Sequence, residues 1–479
     1  MKGKVLTEVS ERKAQLTAEM TPDRDALRAG LEETRCRTLQ LLEPLADELL
    51  ERQHSALMSP IAWDLGHIAA FEELWLVRRL GEVSSEQEIE RAFDAFRTPR
   101  ARRGELELPG VDLLKERLAE TRVATLAGLK SVDLESSNPL LRNGYVYEMV
   151  RDHEAQHQET ILQAIRLIGD AIYLPSVRES YPDAATDAPS PGFVRVPGGP
   201  FRMGDGSTGF AYDNERPAWE ASTGAFEIGR HPVTNAEYLE FIAAGGYLDE
   251  RLWSPEGWRW REEADLSAPH GWCPSGTGRK NASSGERTAM EPADARDLAR
   301  DAGISGWARA SAFGEESAEP DAPVSHVCYW EAEAFARFAG ARLPTETEWE
   351  KAAAWNPATG DSRRYPWGDD PVGPHHANLD QLRFGVAPIG AYPAGRSATG
   401  CWGLLGDLWE WTSSEFRGYP GFRPFPYEEY SAVFFAPEYR VLRGGSWATR
   451  PSVARNSFRN WDYPIRRQIF AGIRLARDV

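Results

Sequence analysis

The sequence predicts an α+β protein, an N-terminal four-helix bundle followed by a half rich in short strands and loops. Three observations carry this. Apolar residues recur at helical spacing up to about residue 169, a segment rich in Pro, Ala, Asp and Ser covers 174–192, and from Phe193 short strand-like runs alternate with Gly, Pro and Trp. The expected boundaries are 21–173 for the bundle, 174–192 for a linker and 193–479 for the second domain, with an insertion at about 267–323.

The first helix starts at Thr21-Pro-Asp-Arg24 and carries Leu27, Leu31, Leu39, Leu42 and Leu45 as an amphipathic stripe to about Arg52. Ser59-Pro60 opens the second, with proline in a first-turn position that needs no N–H. A charged segment, 81–96, leads into Arg97-Thr-Pro-Arg-Ala-Arg-Arg103. A third helix covers roughly 111–129, and Asn138-Pro139 starts a fourth that runs to about Gly169. Four such helices with polar connections form a bundle whose facing helices can project ligands into the core. Beyond the linker, 193–204 reads as strand, turn, strand, and short helices are expected at 234–243 and 330–340. The insertion should be exposed loop with a small helix near 292–302.

Composition excludes some functions. A net charge of -18, from 55 Lys and Arg against 73 Asp and Glu, repels nucleic acid and anionic membranes, so neither is expected as a partner. The 17 tryptophans are expected to fill irregular, loop-dense cores. Cys36, Cys273, Cys328 and Cys401 are scattered, as free thiols of a reducing compartment would be. No apolar run reaches the roughly 18 residues of a membrane span, and the first residues lack an apolar leader core. A cytoplasmic location is expected, which makes the sequon Asn281-Ala-Ser283 a chance match.

The chemistry centres on Arg151-Asp-His-Glu-Ala-Gln-His-Gln-Glu-Thr160. His153 and His157 are four apart and share one helix face with Gln156 beside them, a spacing that suits a metal chelate and equally suits a polar helix face. His67 tips the balance. It lies in the apolar second helix near Trp63, Phe71 and Leu74, where an imidazole needs a partner, and a shared metal supplies one. His153-Glu-Ala-Gln-His157 also matches the H-E-x-x-H pattern of zinc metalloproteases. That reading lacks a third ligand: the next histidine is His231, and Glu179 falls in the linker. Three neutral histidines suit an open zinc site or non-haem Fe(II), and spacing does not choose between them.

From Phe193 onward the motifs resemble the formylglycine-generating-enzyme, or sulfatase-modifying-factor, family, whose fold is C-type-lectin-like. They are Val196-Pro-Gly-Gly-Pro-Phe-Arg-Met-Gly204, His231-Pro-Val-Thr-Asn235, Arg342-Leu-Pro-Thr-Glu-Thr-Glu-Trp-Glu350, Tyr365-Pro-Trp-Gly368, Gly406-Asp-Leu-Trp-Glu-Trp411, Arg443-Gly-Gly-Ser-Trp447 and Gly472-Ile-Arg-Leu-Ala476. The N-terminal bundle resembles the DinB-like domain. Their fusion is similar to the sulfoxide synthases of ergothioneine biosynthesis, a resemblance strengthened by Ser59-Pro-Ile-Ala-Trp-Asp-Leu-Gly-His67, Glu72-Glu-Leu-Trp-Leu76 and Arg459-Asn-Trp-Asp-Tyr-Pro-Ile-Arg-Arg-Gln-Ile-Phe470.

This resemblance implies Fe(II) held by His67, His153 and His157, with O2 as co-substrate. It implies coupling of the imidazole C2 of hercynine (Nα-trimethylhistidine) to a thiol, usually γ-glutamylcysteine, as a sulfoxide. It implies that Gln156, Asn460 and Trp461 bind hercynine and that Arg100, Arg103 and Asp462 bind the donor. Tyr427 becomes the catalytic proton donor with Tyr430 beside it, and the lectin-like half has room for a structural Ca2+. Guanidinium forks and a carboxylate suit a donor bearing carboxylates and an amine. The sequence departs from the family's pattern in the long insertion and in Arg102, a third charge between the clamp positions. Selenoneine synthase, which uses a selenosugar, and the ovothiol-pathway synthase, which uses cysteine, therefore stay open as relatives. Formylglycine formation is excluded, because it needs paired cysteines near the C-terminus and none follows Cys401. A purely binding lectin-like module fits less well with three histidines and Tyr427.

Overall fold

Asp23 begins the first helix. Its carboxylate accepts from the Ala26 N–H at 2.7 Å, and α1 then runs over Arg24–Leu42. The computed structural model describes residues 23–80, 91–168, 173–175, 190–277, 290–311 and 313–479, so the expected start at Thr21 lies outside it. Pro44 stops α1 short of Arg52, because proline has no N–H to continue the helical ladder and its ring crowds the carbonyl four residues back, and a separate turn covers Asp47–Glu51. The second helix, α2 (Ile61–Glu72), is buried along its whole length and continues as a π-helical turn, Glu73–Arg78. The third, α3, spans Val111–Leu129. The fourth, α4, spans Tyr145–Arg166; it starts later than Pro139 because Asn143 takes a left-handed φ of 57° in a preceding 3-10 turn, Arg142–Gly144.

Two compact units divide the described residues. The first holds those up to Glu43, Leu50–His157 and a short returning segment, Gly206–Tyr212. The second holds Pro44–Leu49 and the described parts of Gln158–Asp205 and Asp213–Val479.

In the first unit each of the four helices contributes one side chain to a buried ring of charges. Arg35 of α1 donates to Glu72 and to Glu154, both at 2.7 Å, and Arg122 of α3 donates to the same two carboxylates at 2.7 and 2.9 Å. Thr38 adds a hydroxyl to Glu154 at 2.8 Å. Burial would raise the Glu154 carboxyl, but the two guanidiniums outweigh it and hold it below the usual carboxylate range.

In the second unit the strands are short: β1 (Phe193–Val196), β2 (Gly199–Met203), β3 (Trp219–Thr223), β4 (Phe226–Gly229), β5 (Trp272–Pro274), β6 (Trp307–Ser311), β7 (Gly314–Ser317), β8 (Trp409–Glu415), β9 (Arg440–Arg443), β10 (Asn460–Asp462), β11 (Ala471–Gly472) and β12 (Ala476–Asp478). They form sheets in the orders β1-β4-β12, β10-β9-β8-β11, β2-β3 and β5-β6-β7. The expected strand–turn–strand at 193–204 is present, with its two strands in different sheets.

Helices α5 (Asn235–Ala243), α6 (Pro255–Glu263), α7 (Pro292–Ala302), α8 (Tyr329–Phe338) and α9 (Glu346–Ala354) lie between the strands. The sequence reading anticipated α5, α7 and α8. It missed α6 and α9. The described parts of the insertion are more ordered than expected: β5, β6 and β7 pair there, and Trp272 packs on Trp307 with ring centroids 5.6 Å apart. Trp307, Trp349 and Trp411 are fully buried, as the tryptophan content suggested. No helix among the described residues is long and apolar enough to cross a membrane.

Removing one member of the bundle's charge ring leaves its partners buried and unpaired. Glu72→Ala is therefore expected to cost about 3–5 kcal/mol in urea denaturation. Arg102→Ala, which breaks an exposed pair with Glu105, should leave the unfolding midpoint unchanged.

Candidate metal centre

His67 on α2 and His153 and His157 on α4 bring one ring nitrogen each to within 4.8 Å of one another. The Nε2 atoms of His67 and His153 are 3.2 Å apart. Nitrogens bound at about 2.0–2.1 Å to one metal lie about 3.0 Å apart at right angles and about 3.3 Å apart at the tetrahedral angle, so the His67–His153 pair has the spacing of two ligands to one ion. Burial, followed by the His157 imidazole, pushes His67 well below the usual imidazole range, and burial with both neighbouring rings does the same to His153. Neutral imidazoles are what a metal requires.

Two further groups aim these rings. The Phe93 carbonyl lies 2.6 Å from His67 Nδ1; a carbonyl only accepts, so Nδ1 carries the hydrogen and Nε2 presents its lone pair to the cluster. His157 Nδ1 donates in the same way to Asp64 Oδ1 at 2.9 Å. Gly66 makes the first of these contacts possible, since a Cβ there would fall 2.0 Å from the Phe93 ring. Asp64 is buried in an apolar helix, and its Oδ2 has no hydrogen-bond partner among the described residues. A carboxylate so placed is costly without nearby positive charge, and a cation on the three histidines supplies it. The donor set therefore fits a divalent transition metal. No other group of three or more His, Cys, Asp or Glu side chains converges in this way among the described residues.

The protease alternative fails on geometry. Glu154, the would-be general base of H-E-x-x-H, is locked between Arg35 and Arg122 in the bundle's charge ring. Gln156 sits on the histidine side of α4, and its Nε2 donates to Asp152 O at 3.2 Å and to Tyr212 Oη at 2.7 Å. Tyr212 belongs to the returning segment, where Phe210 packs on Tyr145 with centroids 4.9 Å apart.

The arginine run divides into distinct roles. Arg100 is exposed at the start of a 3-10 turn, Arg100–Glu105. Arg102 points away to pair with Glu105 at 2.9 Å. Arg103 is only 4% exposed and donates to Ser59 Oγ, Ala95 O and Thr98 O. Burial, then Arg100, lowers its guanidinium to about 10.

The remaining candidates lie in the second unit. Tyr427 and Tyr430 pack edge to face at 6.3 Å, and Tyr430 meets the Trp461 ring at 6.1 Å. Trp461 stacks on Phe416 at 4.1 Å, in β10 between Asn460 and Asp462. Asp462 Oδ2 lies 3.4 Å from Arg466. The loop bearing Tyr427 is held at both ends by Asp213, which accepts from the Phe425 N–H at 3.1 Å and from the Ser431 hydroxyl. Burial pushes the Asp213 carboxyl up to about 6.

Sequence reasoning missed Asp64, Phe93, Tyr212 and Asp213. A charged residue three before His67 in an otherwise apolar helix was the one readable signal for Asp64; the other three depend on distant chain segments.

Comparison with known proteins follows the same division. Residues 178–479 match the Sulfatase-modifying factor enzyme 1-like domain family, and residues 30–161 match the DinB superfamily. The chain is 45% identical to the hercynine oxygenase of Mycolicibacterium thermoresistibile over 97% of each chain. It is 45% identical to the hercynine oxygenase of Mycolicibacterium smegmatis, covering 95% of this chain and 99% of that one. It is 37% identical to the formylglycine-generating enzyme of Mycobacterium tuberculosis over 49% of this chain and 76% of that one.

Asp64→Asn keeps the shape of the contact to His157 but removes its charge, and is expected to weaken metal binding about 10–100-fold in chelator competition. Asp213 gives a pH signature. Its folded pKa of about 6 lies above the unfolded value of 3.8, so its contribution is fully present below 3.8 and is lost as pH rises through about 6. The stability difference between wild type and Asp213→Asn should therefore fall by on the order of 3 kcal/mol from pH 4 to pH 7 in urea titrations.

Proposed function

This chain belongs to the hercynine oxygenase family, and we propose that it joins the imidazole C2 of hercynine to the sulfur of a thiol, probed first as γ-glutamylcysteine, as a step of ergothioneine synthesis. The carrying observation is the 45% identity across 97% of both chains, combined with three convergent histidines. The reaction balances with one O2: the C2–H and S–H bonds break, a C–S bond forms, one oxygen stays on sulfur and the other leaves as water. Fe(II) on His67, His153 and His157 would supply the redox chemistry that couples dioxygen to sulfur.

The chain's own residues take the remaining proposed roles. Gln156 neighbours both helical histidines, so a molecule docked beside them meets its amide. Asn460 and Trp461 are the further hercynine contacts, the indole offering a face to a trimethylammonium. Arg100 faces solvent and can receive a donor carboxylate, with Arg103 behind it and Asp462 for the donor's amine. Tyr427 delivers a proton, with Tyr430 packed against its ring. One observation keeps the selenium reading in play: Arg103 is committed to internal acceptors, so the carboxylate clamp rests mainly on Arg100. A selenosugar needs no such clamp.

The test is anaerobic loading with Fe(II) or Zn(II), addition of hercynine, then oxygen with γ-glutamylcysteine, cysteine or a selenosugar offered separately, read by mass spectrometry. A hercynyl sulfoxide adduct of the dipeptide with Fe(II) alone is the expected result, and no adduct with any donor refutes the proposal. Arg100→Ala should raise KM for the dipeptide about 10–100-fold with little change in kcat, as loss of a charge-assisted contact predicts. An adduct with the selenosugar alone would reassign the donor.

A further inference from the structure

Behind His67 stands a three-layer stack whose middle layer, Trp63, has no part in the proposed reaction. The Trp63 indole lies parallel to the His67 imidazole, with centroids 4.8 Å apart and planes 12° apart. On the indole, the Arg103 guanidinium carbon sits 3.6 Å from the ring centroid. Trp63 is 1% exposed and Arg103 4%, so solvent reaches neither layer appreciably. A guanidinium stacked on tryptophan away from water is among the stronger cation–π contacts.

Hydrogen bonds close the stack into a ring. Trp63 Nε1 donates to Ala92 O at 2.8 Å, one residue before the Phe93 carbonyl that takes the His67 Nδ1 hydrogen. Arg103 donates to Ala95 O and Thr98 O, both at 3.0 Å, on the far side of the same segment, and to Ser59 Oγ at 2.8 Å just before α2. The plane of His67 is thus set by the indole and its tautomer by Phe93, and both are tied down by Trp63 and Arg103. A guanidinium engaged through Nε and both terminal nitrogens, and stacked as well, is fixed in position.

We propose that Trp63 and Arg103 are positioning residues for the metal ligand His67, Arg103 clamping the indole and the indole fixing the imidazole plane. The inference rests on His67 being a metal ligand, as the proposed function requires.

Co(II)-loaded protein tests it without turnover, through visible d–d bands and chelator competition. Trp63→Leu and Arg103→Met are expected to shift the bands and weaken Co(II) binding about 10–100-fold, the range for lost supporting contacts around a metal ligand. Trp63→Phe, which keeps a stacking ring, and Arg103→Lys, which keeps the charge, should recover much of both. Leu31→Ala, a cavity in α1, should lower the melting temperature and leave the bands in place. If Trp63→Leu does not fold, Arg103→Met decides, since the indole stays. Folded variants with wild-type bands and affinity overturn the inference, as does Arg103→Met raising only the KM for the thiol donor. Wild-type protein that takes up no Co(II) refutes the metal reading itself, and this inference with it.

Discussion

Two carboxylates and two guanidiniums, one from each helix, meet in the core of the bundle, and the geometry of the histidine cluster depends on them. Successive side chains on a helix are about 100° apart. Anchoring Glu154 between Arg35 and Arg122 therefore also sets the direction of His153 and His157 on the neighbouring stripe of α4. Glu72 does the same for His67, five residues earlier and about 140° round α2. Apolar side chains of similar volume would stabilise such a core as well or better, but they would tolerate rotation and sliding. A charge ring does not, since any displacement leaves a buried ion without its partner. The ring fixes the rotation of the two helices that carry the ligands.

The second unit uses buried arginines for a related purpose. Glu346 accepts from Arg443 at 2.7 Å and Arg459 at 2.6 Å, and Glu410 accepts from Arg474 at 2.7 Å. These guanidiniums also reach backbone: Arg474 donates to the carbonyls of Gly229, Trp402 and Gly403, and Arg459 to those of Asn214 and Arg417. Strands of two to seven residues leave many carbonyls outside any ladder, and five fixed donors per guanidinium span the loops that hold them. The Gly444 motif position has a similar reason. With a φ of 101° and the Leu404 carbonyl 2.6 Å from any added Cβ, it admits no side chain. The motifs that identify the C-terminal half are thus largely its scaffolding.

That distinction explains what the sequence disclosed. The four helices, the change of periodicity after the linker and the i, i+4 histidines are local patterns, and they were legible. So was His67, because an imidazole among Trp63, Phe71 and Leu74 demands a partner. Helix ends were misread where one residue overrode periodicity, Pro44 at one and Asn143 at the other. Asp64 was overlooked because an acidic residue near a helix start is unremarkable until its burial is known. Phe93, Tyr212 and Asp213 reach their partners across 26, 56 and 212 residues, and no local pattern encodes such meetings. Arg103 was carried over as a donor contact from the resemblance alone; its burial against Trp63 and its three internal acceptors had no signal in the sequence.

Two buried carboxylates beside the histidines, Glu154 and Asp64, have contrasting surroundings. Glu154 follows His153 directly, and in the H-E-x-x-H pattern it would be the reactive group. Two arginines neutralise it, and Thr38 takes a further lone pair, so neither a proton nor a metal gains from approaching it. Asp64 has different surroundings: one oxygen accepts from His157, the other has no hydrogen-bond partner among the described residues, and the Arg103 guanidinium is stacked on Trp63. Three neutral imidazoles bring no charge of their own to a divalent ion. Asp64, relayed through His157, would supply negative charge to a cation held by the three histidines without itself being one of the converging groups. The same five-residue motif thus serves two faces of one helix, and the arginines neutralise one face, leaving the histidine face as the one suited to a cation.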